Sequence, residues 1–395
     1  MTAVRCTPEA RAAALHEIDR RRLRRRRLPN DDQQINFCSN DYLGLARDPE
    51  IAAAMASAAR THGAGAGASH LVSGHSAEHD ALERELADFT RRARALVFST
   101  GYMANLGVLS ALADRHDVLI GDELNHASLI DAARLTRSPY HHRYTHGDAA
   151  AAAELLRSSD ESRGAFVITD GVFSMDGDLA PLPALAAAAR AHQAWLVVDD
   201  AHGLGVVGAE GRGSCEFFGL SAQDVPVLIG TFGKALGTFG AFVAGDDEVI
   251  ELLIQRARTY IYTTALPPAV AAATRHALKK LRHQQWRREH LLSLVDHFRA
   301  GIRQRGLPVS DSSTPIQPLL LGGEDRALAA SHRLAELGYR VTAIRPPTVP
   351  VGTSRLRITL SAAHSVRQVD GLLAALEQVI FDRLMGDQAV AGVVA

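Results

Sequence analysis

Short apolar runs alternate with longer Ala- and Leu-rich stretches through the middle of the chain. The runs are nearly continuous in apolar residues, as in strands buried on both faces, and the stretches between them have the composition of helices. The alternation predicts an α/β fold with a mostly parallel central sheet flanked by helices. Because turns of buried helices also contain short apolar runs, periodicity alone leaves each single strand open. The predicted strands are Ala95–Ser99, Asp117–Ile120, Ala165–Thr169, Trp195–Asp199, Val227–Gly230 and Ala241–Ala244.

The N-terminal part of the chain has a different pattern. About the first 35 residues are rich in Arg and Ala and predict a helix that ends near Pro29-Asn30. Further helices are predicted at Ile51–Arg60 and Ala77–Arg94, where Ala, Leu, Glu and Arg dominate. The segment His62–Ser69 between them contains too much glycine for a stable helix.

The C-terminal part predicts a smaller α+β region. A basic helical stretch follows Pro268 and reaches about Arg305, and apolar runs at Ile316–Leu321 and Leu356–Leu360 predict further strands. We therefore divide the chain into an N-terminal helical arm at residues 1–45, a large domain at 46–275 and a C-terminal small domain at 276–395.

Composition narrows the class of protein. The 395 residues include 43 Lys and Arg against 44 Asp and Glu, and a net charge of −1 gives no reason to expect nucleic acid as a partner. Cys6, Cys38 and Cys215 have no CxxC spacing and indicate free thiols in a reducing compartment. No apolar run approaches the ~18–20 residues that cross a bilayer. We expect a cytoplasmic protein that does not use a membrane.

The run from Arg20 to Arg27 holds seven arginines in eight residues, a pattern typical of nucleic-acid contacts. It has no interleaved aromatic residue, so a solvated helix face is the preferred interpretation. His141, His142 and His146 have no Cys or carboxylate at ligand spacing, and we interpret them as surface residues. No metal is expected.

The densest group of chemically active residues follows two predicted strands. The run at Leu196 leads into Asp199 and His202, and the run at Val227 leads to Lys234, which is flanked by small residues. Ligands of open α/β sheets bind at the carboxyl ends of the strands. Most lysines are solvated, and that interpretation of Lys234 stays open. A lysine partly removed from water acts as an amine nucleophile, because its ammonium form is destabilised.

Pyridoxal phosphate requires four kinds of group that this cluster offers. It needs a lysine for an imine, a carboxylate at the pyridine nitrogen, a donor to the phenolate oxygen and groups that bind a phosphate. Lys234, Asp199 and His202 match the first three kinds, and Ser174 and Thr231 add hydroxyls. Spacing alone does not decide between this site and a solvated lysine.

Five segments of the chain resemble motifs of the α-oxoamine synthases, which are fold-type I pyridoxal-phosphate enzymes. The motifs occur in the family's order, and the resemblance runs from about residue 15 to about residue 380. It implies a fold-type I transferase with a large cofactor-binding domain and a smaller α+β C-terminal domain. The segments are Phe37–Leu45 (FCSNDYLGL), Gly171–Asp178 (GVFSMDGD), Val198–Gly203 (VDDAHG), Thr231–Lys234 (TFGK) and Thr342–Pro350 (TAIRPPTVP).

The resemblance implies a role for each of four catalytic residues. Lys234 matches the imine lysine, and Asp199 matches the carboxylate under the pyridine nitrogen. His202 matches the residue near the phenolate oxygen, and His126 matches the histidine that stacks on the cofactor ring. Further cofactor contacts implied by the resemblance are Gly101, Tyr102, Ser174, Thr231, Thr263 and Thr264.

Two of these positions also imply a partner. Thr263 and Thr264 match a segment that reaches the phosphate of the neighbouring subunit, which implies a homodimer with a shared active site. A strand or turn before Pro267-Pro268 is the alternative interpretation of the same residues.

The resemblance also implies a set of substrate contacts. Arg355 and Arg357 alternate on a predicted strand and share a face. Arg357 matches the arginine that pairs with the amino-acid carboxylate, with Asn40 as its neighbour. Thr348 matches a substrate-binding position, and Arg24 matches an arginine near the far carboxylate of the acyl chain. Arg345 and His126 complete the implied set.

The implied reaction is the decarboxylative condensation of L-alanine with a pimeloyl thioester of CoA or acyl carrier protein. The segment Arg345–Pro350 favours it, because sister enzymes differ in that loop. The alternatives are a sister synthase that uses glycine or serine with another acyl-CoA, such as glycine with acetyl-CoA, and a regulatory protein or a nucleic-acid-binding protein that uses the arginine run. The chain departs from the family pattern at Asp170, where glutamate is common, and at His70, where a smaller residue is expected.

Overall fold

The computed structural model describes residues 7–21, 23–25, 27, 29, 33–308 and 310–391. The strands are β1 Ile35–Asn36, β2 Arg94–Phe98, β3 Val118–Asp122, β4 His141–Tyr144, β5 Ala165–Asp170, β6 Trp195–Asp199, β7 Val227–Thr231, β8 Ala241–Gly245, β9 Ile316–Gly322, β10 Tyr339–Arg340, β11 Thr342–Ile344 and β12 Ser354–Thr359. The helices are α1 Pro8–Arg20, α2 Pro49–His62, α3 Ala77–Thr90, α4 Gly101–Leu112, α5 Ala127–Leu135, α6 Ala149–Arg157, α7 Leu182–Ala191, α8 Ser214–Phe217, α9 Asp247–Arg256, α10 Arg258–Ile261, α11 Pro268–His283, α12 Trp286–Gln304, α13 Glu324–Glu336 and α14 Val366–Ala391. A short π-helical turn covers His70–Gly74.

The central sheet has seven strands in the order β2-β8-β7-β6-β5-β3-β4. Strands β4, β3, β5, β6 and β7 are parallel, and β8 pairs antiparallel with both β7 and β2. The predicted mostly parallel sheet is therefore confirmed. Val197 and Val198 are neighbours on β6 that belong to hydrophobic clusters on opposite faces, and both are fully buried. Burial on both faces explains why these strands are continuous apolar runs.

Strand β4 was not predicted. Its sequence is His-His-Arg-Tyr, and only Tyr144 is buried. The strand lies at the edge of the sheet, where one neighbour is missing and polar side chains are common. A polar edge strand lacks the apolar run on which the prediction depended.

A second, antiparallel sheet of three strands has the order β11-β12-β9. The short strand β1 pairs with β10, so that Ile35 lies opposite Tyr339 and the N-terminal segment joins the C-terminal part of the chain. The boundaries after residues 45 and 275 stay predictions; the second of them falls within α11.

The N-terminal helix is shorter than predicted. It begins after the N-cap Thr7 and ends at Arg20, well before Pro29. A longer helix would place Arg20 beside Arg24 and Arg21 beside Arg25, four residues apart, and like charges at this spacing destabilise a helix. The prediction that the helix continues through this run toward Pro29 is therefore wrong, and with it the interpretation of Arg25 as part of a helix face.

Helices α11 and α12 replace the single long basic helix that was predicted up to Arg305. The helix is interrupted at Gln284, whose backbone dihedral angles lie outside the helical region. Among the described residues no helix is both long enough and apolar enough to span a membrane.

Candidate active site

A cavity of about 1120 Å³ lies where the carboxyl ends of the large sheet face the three-stranded sheet. Both sheets contribute to its wall, because Lys234 follows β7 and Arg357 lies on β12. The predicted site residues that line it are Asn40, His126, Ser174, His202, Lys234, Thr348 and Arg357. The structure therefore brings residues that are more than 300 positions apart in the sequence to one cavity.

Lys234 carries the amine of this cavity. It is partly buried, in the loop between β7 and β8. Burial lowers its pKa to about 8, although the carboxylates of Asp199 and Asp170 act in the opposite direction. No hydrogen bond to its Nζ occurs within the part of the chain that the structure describes. The amine is therefore removed from bulk water but borders the cavity, where it can act as a nucleophile.

Asp199 lies at the end of β6, directly opposite Asp170 at the end of β5. Its Oδ2 accepts a hydrogen bond of 2.7 Å from Asn105 Nδ2, and its Oδ1 accepts one of 3.0 Å from the backbone N–H of Ala201. Burial and the charge of Asp199 together raise the pKa of Asp170 well above its usual value. Two adjacent buried carboxyl groups disfavour double ionisation, so the negative charge at this edge of the sheet is carried by Asp199 while Asp170 tends to its neutral form.

A chain of hydrogen bonds joins Asp199 to His126. Asn105 Nδ2 also donates to Ser128 Oγ over 2.7 Å, and Ser128 Oγ lies 2.6 Å from His126 Nδ1. The backbone N–H of His126 donates to Asp170 Oδ2 over 2.7 Å. The ring of His126 is therefore held at the cavity wall from both its backbone and its side chain.

His202 is paired with a tyrosine that sequence reasoning missed. Tyr42 Oη lies 2.5 Å from His202 Nδ1, and both side chains are buried. Burial lowers the pKa of His202 well below its usual value and raises the pKa of Tyr42 to about 12. The hydroxyl thus stays protonated and the ring neutral; in the tautomer in which Nδ1 accepts from the hydroxyl, Nε2 carries the hydrogen. His202 offers an N–H donor to a ligand.

Arg357 is held at the other side of the cavity. Its Nε donates to the carbonyl of Ser174 over 2.5 Å, and its Nη1 donates to Asn40 Oδ1 over 3.2 Å. Arg355 also lines the cavity, as the alternation on β12 predicts, but it forms an ion pair with Asp176. The predicted pair of Arg357 and Asn40 is thus in contact, next to the loop that carries Ser174.

The other predicted site residues lie outside the cavity lining. Gly101 begins α4, and the exposed Tyr102 donates to Asp131. Thr231 Oγ1 donates to the carbonyl of Gly240 over 3.0 Å. The carbonyl of Thr264, next to Thr263, accepts from Ser99 Oγ over 3.5 Å, which brings this segment near the start of α4.

Arg24 and Arg345, the two other arginines predicted to contact substrate, do not line the cavity. Arg24 forms an ion pair with Asp19, and its neighbour Arg25 lines the cavity. Arg345 accepts a hydrogen bond at its carbonyl from the backbone N–H of Thr348, across the turn that contains the cis bond between Pro346 and Pro347. The role of Arg24 stays a prediction.

His146 is a functional candidate that sequence reasoning placed on the surface, and that prediction is wrong. Its side chain is only 24% exposed and lies between Asp122 and Asp178, at 3.0 Å from each. Hydrogen bonds to these two carboxylates raise its pKa to about 10. Asp122 and His146 are 24 residues apart in the sequence, and no local spacing could have revealed the pair.

The groups of the cavity fit pyridoxal phosphate. The amine of Lys234 can bond to an aldehyde, the carboxylate of Asp199 suits a protonated pyridine nitrogen, and the N–H of His202 suits a phenolate oxygen. The start of α4 at Gly101 offers free backbone N–H groups to a phosphate. This donor set matches the four requirements that the sequence suggested.

Comparison with known proteins also indicates a pyridoxal-phosphate enzyme. The family model described as aminotransferase class I and II matches residues 32–376. The chain is 62% identical over 348 residues to the 8-amino-7-oxononanoate synthase of Methylococcus capsulatus, which covers 88% of this chain and 89% of the relative. It is 60% identical over 346 residues to the protein of the same name from Alkalilimnicola ehrlichii, with 88% of each chain covered.

Solved structures are similar over nearly the whole chain. A serine palmitoyltransferase variant from S. paucimobilis with bound PLP has a TM-score of 0.85 and 32% identity, and the match covers 88% of this chain and 87% of that one. An 8-amino-7-oxononanoate synthase from Francisella tularensis has a TM-score of 0.78 and 31% identity, and the match covers 90% of this chain and 100% of that one.

Proposed function

The chain belongs to the class I and II aminotransferase family and, within it, to the 8-amino-7-oxononanoate synthases, and from this membership we propose its reaction. It condenses L-alanine with a pimeloyl thioester and releases 8-amino-7-oxononanoate, carbon dioxide and the free thiol, which is a step of biotin biosynthesis. The observation that carries the proposal is one cavity in which Lys234 and His202 face Arg357, with Asp199 buried behind them.

The cofactor is pyridoxal 5′-phosphate, and Lys234 is its proposed covalent anchor. When bound, it supplies an electron-withdrawing ring that spreads the negative charge left after the α-carbon of alanine loses a proton. Asp199 is proposed to keep the pyridine nitrogen protonated, while the raised pKa of the neighbouring Asp170 favours its neutral form and leaves the negative charge on Asp199. His126, which is fixed through Ser128, is proposed to stack on the ring.

Further contacts with the cofactor are proposed from the same argument. Ser174 and Thr231 supply hydroxyl groups, and Gly101 and Tyr102 supply backbone N–H groups at the start of α4. Thr263 and Thr264 are proposed to reach the phosphate of a neighbouring subunit in a homodimer with a shared active site. Their backbone already lies near Ser99, at the start of α4 in the same chain.

Lys234 is also the proposed general base. With a pKa of about 8, about one-tenth of this amine is unprotonated at pH 7, far more than for an ordinary lysine. Once the amino group of alanine has replaced it, the amine can accept the α-proton and later return a proton to the product. Arg357 and Asn40 bind the carboxylate of alanine, which orients the α-carbon toward Lys234.

The acyl donor is proposed to extend toward the edge of the large sheet. Arg143 on β4 lines the cavity, and the described part of the chain gives it no ion pair. Four strand spacings separate β4 from β7, or about 19 Å. An acyl donor that extends from Lys234 toward β4 would run along this edge of the sheet, with Arg143 as a positive charge for its far carboxylate. Arg143 is therefore proposed, together with Arg24 or Arg25, Arg345 and Thr348, to bind the anionic acyl donor.

A sister synthase is the alternative within the same family. Identity is 62% to an 8-amino-7-oxononanoate synthase and 32% to a serine palmitoyltransferase, which favours the first. A membrane or nucleic acid has no part in the proposed reaction, and we propose that the enzyme acts in the cytoplasm on small-molecule or carrier-bound substrates.

The test is a panel of amino acids against acyl donors. Alanine, glycine and serine are each combined with pimeloyl-, acetyl-, succinyl- and palmitoyl-CoA, and thiol release and product mass are measured on the cofactor-loaded enzyme. We expect the highest kcat/KM for alanine with pimeloyl-CoA. A preference for glycine and acetyl-CoA would support the sister reaction, and no thiol release with any pair would reject both.

A further inference from the structure

Three histidines lie together outside the active-site cavity, after the glycine-rich segment. His70 begins the π-helical turn, His75 follows that turn, and His79 lies in the first turn of α3. One ligand nitrogen of each lies within 4.8 Å of those of the other two. His70 and His79 are buried, while the side chain of His75 is 28% exposed. The proposed reaction uses none of these residues.

Hydrogen bonds fix which ring nitrogens are free. His79 Nε2 lies 2.6 Å from the carbonyl oxygen of Leu266, which can only accept, so this nitrogen carries the hydrogen. His75 Nε2 lies 2.9 Å from Asp80 Oδ1, which accepts in the same way. In the neutral form of each of these two rings the lone pair is therefore on Nδ1. His75 Nδ1 lies 2.9 Å from His70 Nδ1, so without metal His70 Nδ1 is the donor of this contact, and binding a metal through it requires the other tautomer of His70.

This pattern is typical of metal-binding histidines. Such a histidine almost always donates its second ring N–H to a carboxylate or a backbone carbonyl, which fixes the tautomer and the ring orientation. His75 does so with Asp80, and His79 does so with Leu266. Ligand nitrogens at a tetrahedral zinc ion are about 3.3 Å apart, close to the separation of His70 and His75.

We propose that His70, His75 and His79 bind one zinc ion through their Nδ1 atoms, with water in the fourth position. Three imidazoles suit zinc better than magnesium or calcium, which prefer oxygen ligands. Atoms of Asp80 and Glu83 lie within 4.8 Å of a ligand atom of His75, and their carboxylates offset the charge of the ion. The partly exposed edge of His75 gives the ion an entry path.

The competing arrangement is a hydrogen-bonded histidine chain without metal. His79 Nδ1 accepts from the backbone N–H of Ser76 over 3.0 Å and lies 2.9 Å from Ser76 Oγ. Zinc would replace these contacts, so the two arrangements exclude each other at this nitrogen. His70 also stacks on Tyr260, with ring centroids 4.8 Å apart, and needs no metal for that contact.

The site would brace a segment next to the predicted phosphate contacts. Leu266 accepts the hydrogen bond of His79, and Ala265 donates its backbone N–H to Ala68 over 2.9 Å. Thr263 and Thr264 directly precede these residues. Zinc would therefore stabilise the fold of this segment and take no part in the chemistry.

The test measures zinc binding to untagged, cofactor-loaded enzyme from which metal has first been removed with a chelator, followed by dialysis. Isothermal titration should give one equivalent per chain for the wild type and for the control His332→Ala, which changes an exposed histidine of α13. His75→Ala should lose that equivalent, and His75→Asn serves if the first variant does not fold. Cobalt at the same site should give the visible spectrum of a four-coordinate ion.

A second variant tests the orientation of the rings. Asp80→Asn should keep one equivalent per chain but bind it about 10- to 100-fold more weakly, because the partner of His75 Nε2 loses its charge. Zinc binding unchanged in His75→Ala, or no binding by the wild type, would overturn the proposal in favour of the hydrogen-bonded chain. Either outcome is independent of activity in the amine and acyl-donor panel.

Discussion

The two sheets contribute differently to the active-site cavity. The large sheet supplies groups whose pKa values are shifted by burial, such as Lys234 and His202, at the carboxyl ends of parallel strands. The three-stranded sheet supplies Arg357, which is held by two neutral acceptors, the Ser174 carbonyl of the large domain and Asn40 of the N-terminal arm. The difference suggests that chemistry comes from the first region and substrate orientation from the second. Three variants test this division, from the largest expected effect to the smallest.

Lys234→Ala should remove the chemistry of the large sheet. We expect kcat to fall by at least about 10⁴-fold, because the variant loses both the covalent anchor and the general base. The visible absorbance of the lysine-bound cofactor should disappear as well. Lys279→Ala, which changes an exposed lysine of α11, is the control and should keep both. An unchanged spectrum in Lys234→Ala would refute the anchor.

Arg357→Lys should instead act on alanine binding. The lysine keeps the charge but loses the planar fork that matches two carboxylate oxygens, and we expect kcat/KM for alanine to fall about 10²-fold. The cofactor spectrum should not change. Arg355→Lys is the matched control. Arg355 lies on the same face of β12 as Arg357, but its guanidinium is paired with Asp176. A loss of cofactor binding in Arg357→Lys would break the division between the two regions.

His146→Gln tests a contact within the large domain that fixes the loop on which Arg357 of the second sheet rests. His146 joins Asp122 on β3 to Asp178, in the loop whose Ser174 carbonyl accepts from Arg357. Its pKa is raised to about 10, so its contribution to stability is complete below its unfolded pKa near 6.5 and is lost as pH rises through about 10.

We expect His146→Gln to lower the free energy of unfolding by about 1.5–3 kcal/mol at pH 6, as for hydrogen bonds to charged groups. The difference from the wild type should shrink between pH 7 and pH 10. Urea unfolding at pH 6, 8 and 10 measures this, and His142→Gln on the exposed part of β4 is the control. A pH-independent difference would show that the imidazolium is not the stabilising form.

Much of the fold could be predicted because it depends on local pattern. The six predicted strands of the large sheet are present, since strands buried on both faces require continuous apolar runs. Strand β4 and the break between α11 and α12 could not be predicted. The first is a polar edge strand, and the second is a local backbone change without a Gly or Pro to mark it.

The site was predictable only in part. Lys234, Asp199 and His202 stand in motifs directly after predicted strands, so their grouping at one sheet edge follows from the parallel topology. Tyr42 stands in the motif Phe37–Leu45 but follows no predicted strand, and Asn105 and His146 stand in none of the five motifs. Each acts through a partner between 24 and 160 positions away in the sequence.

The sequence by itself determined the strand ends, the family and the chemical types of the catalytic groups, because these depend on residue identity and short-range order. Only the tertiary structure decided the protonation states and the neighbours. The pKa of Lys234 falls because packing removes it from water, and that of His146 rises because two distant carboxylates meet it. The three histidines near Leu266 become a candidate metal site for the same reason, since a distant carbonyl fixes the tautomer of His79.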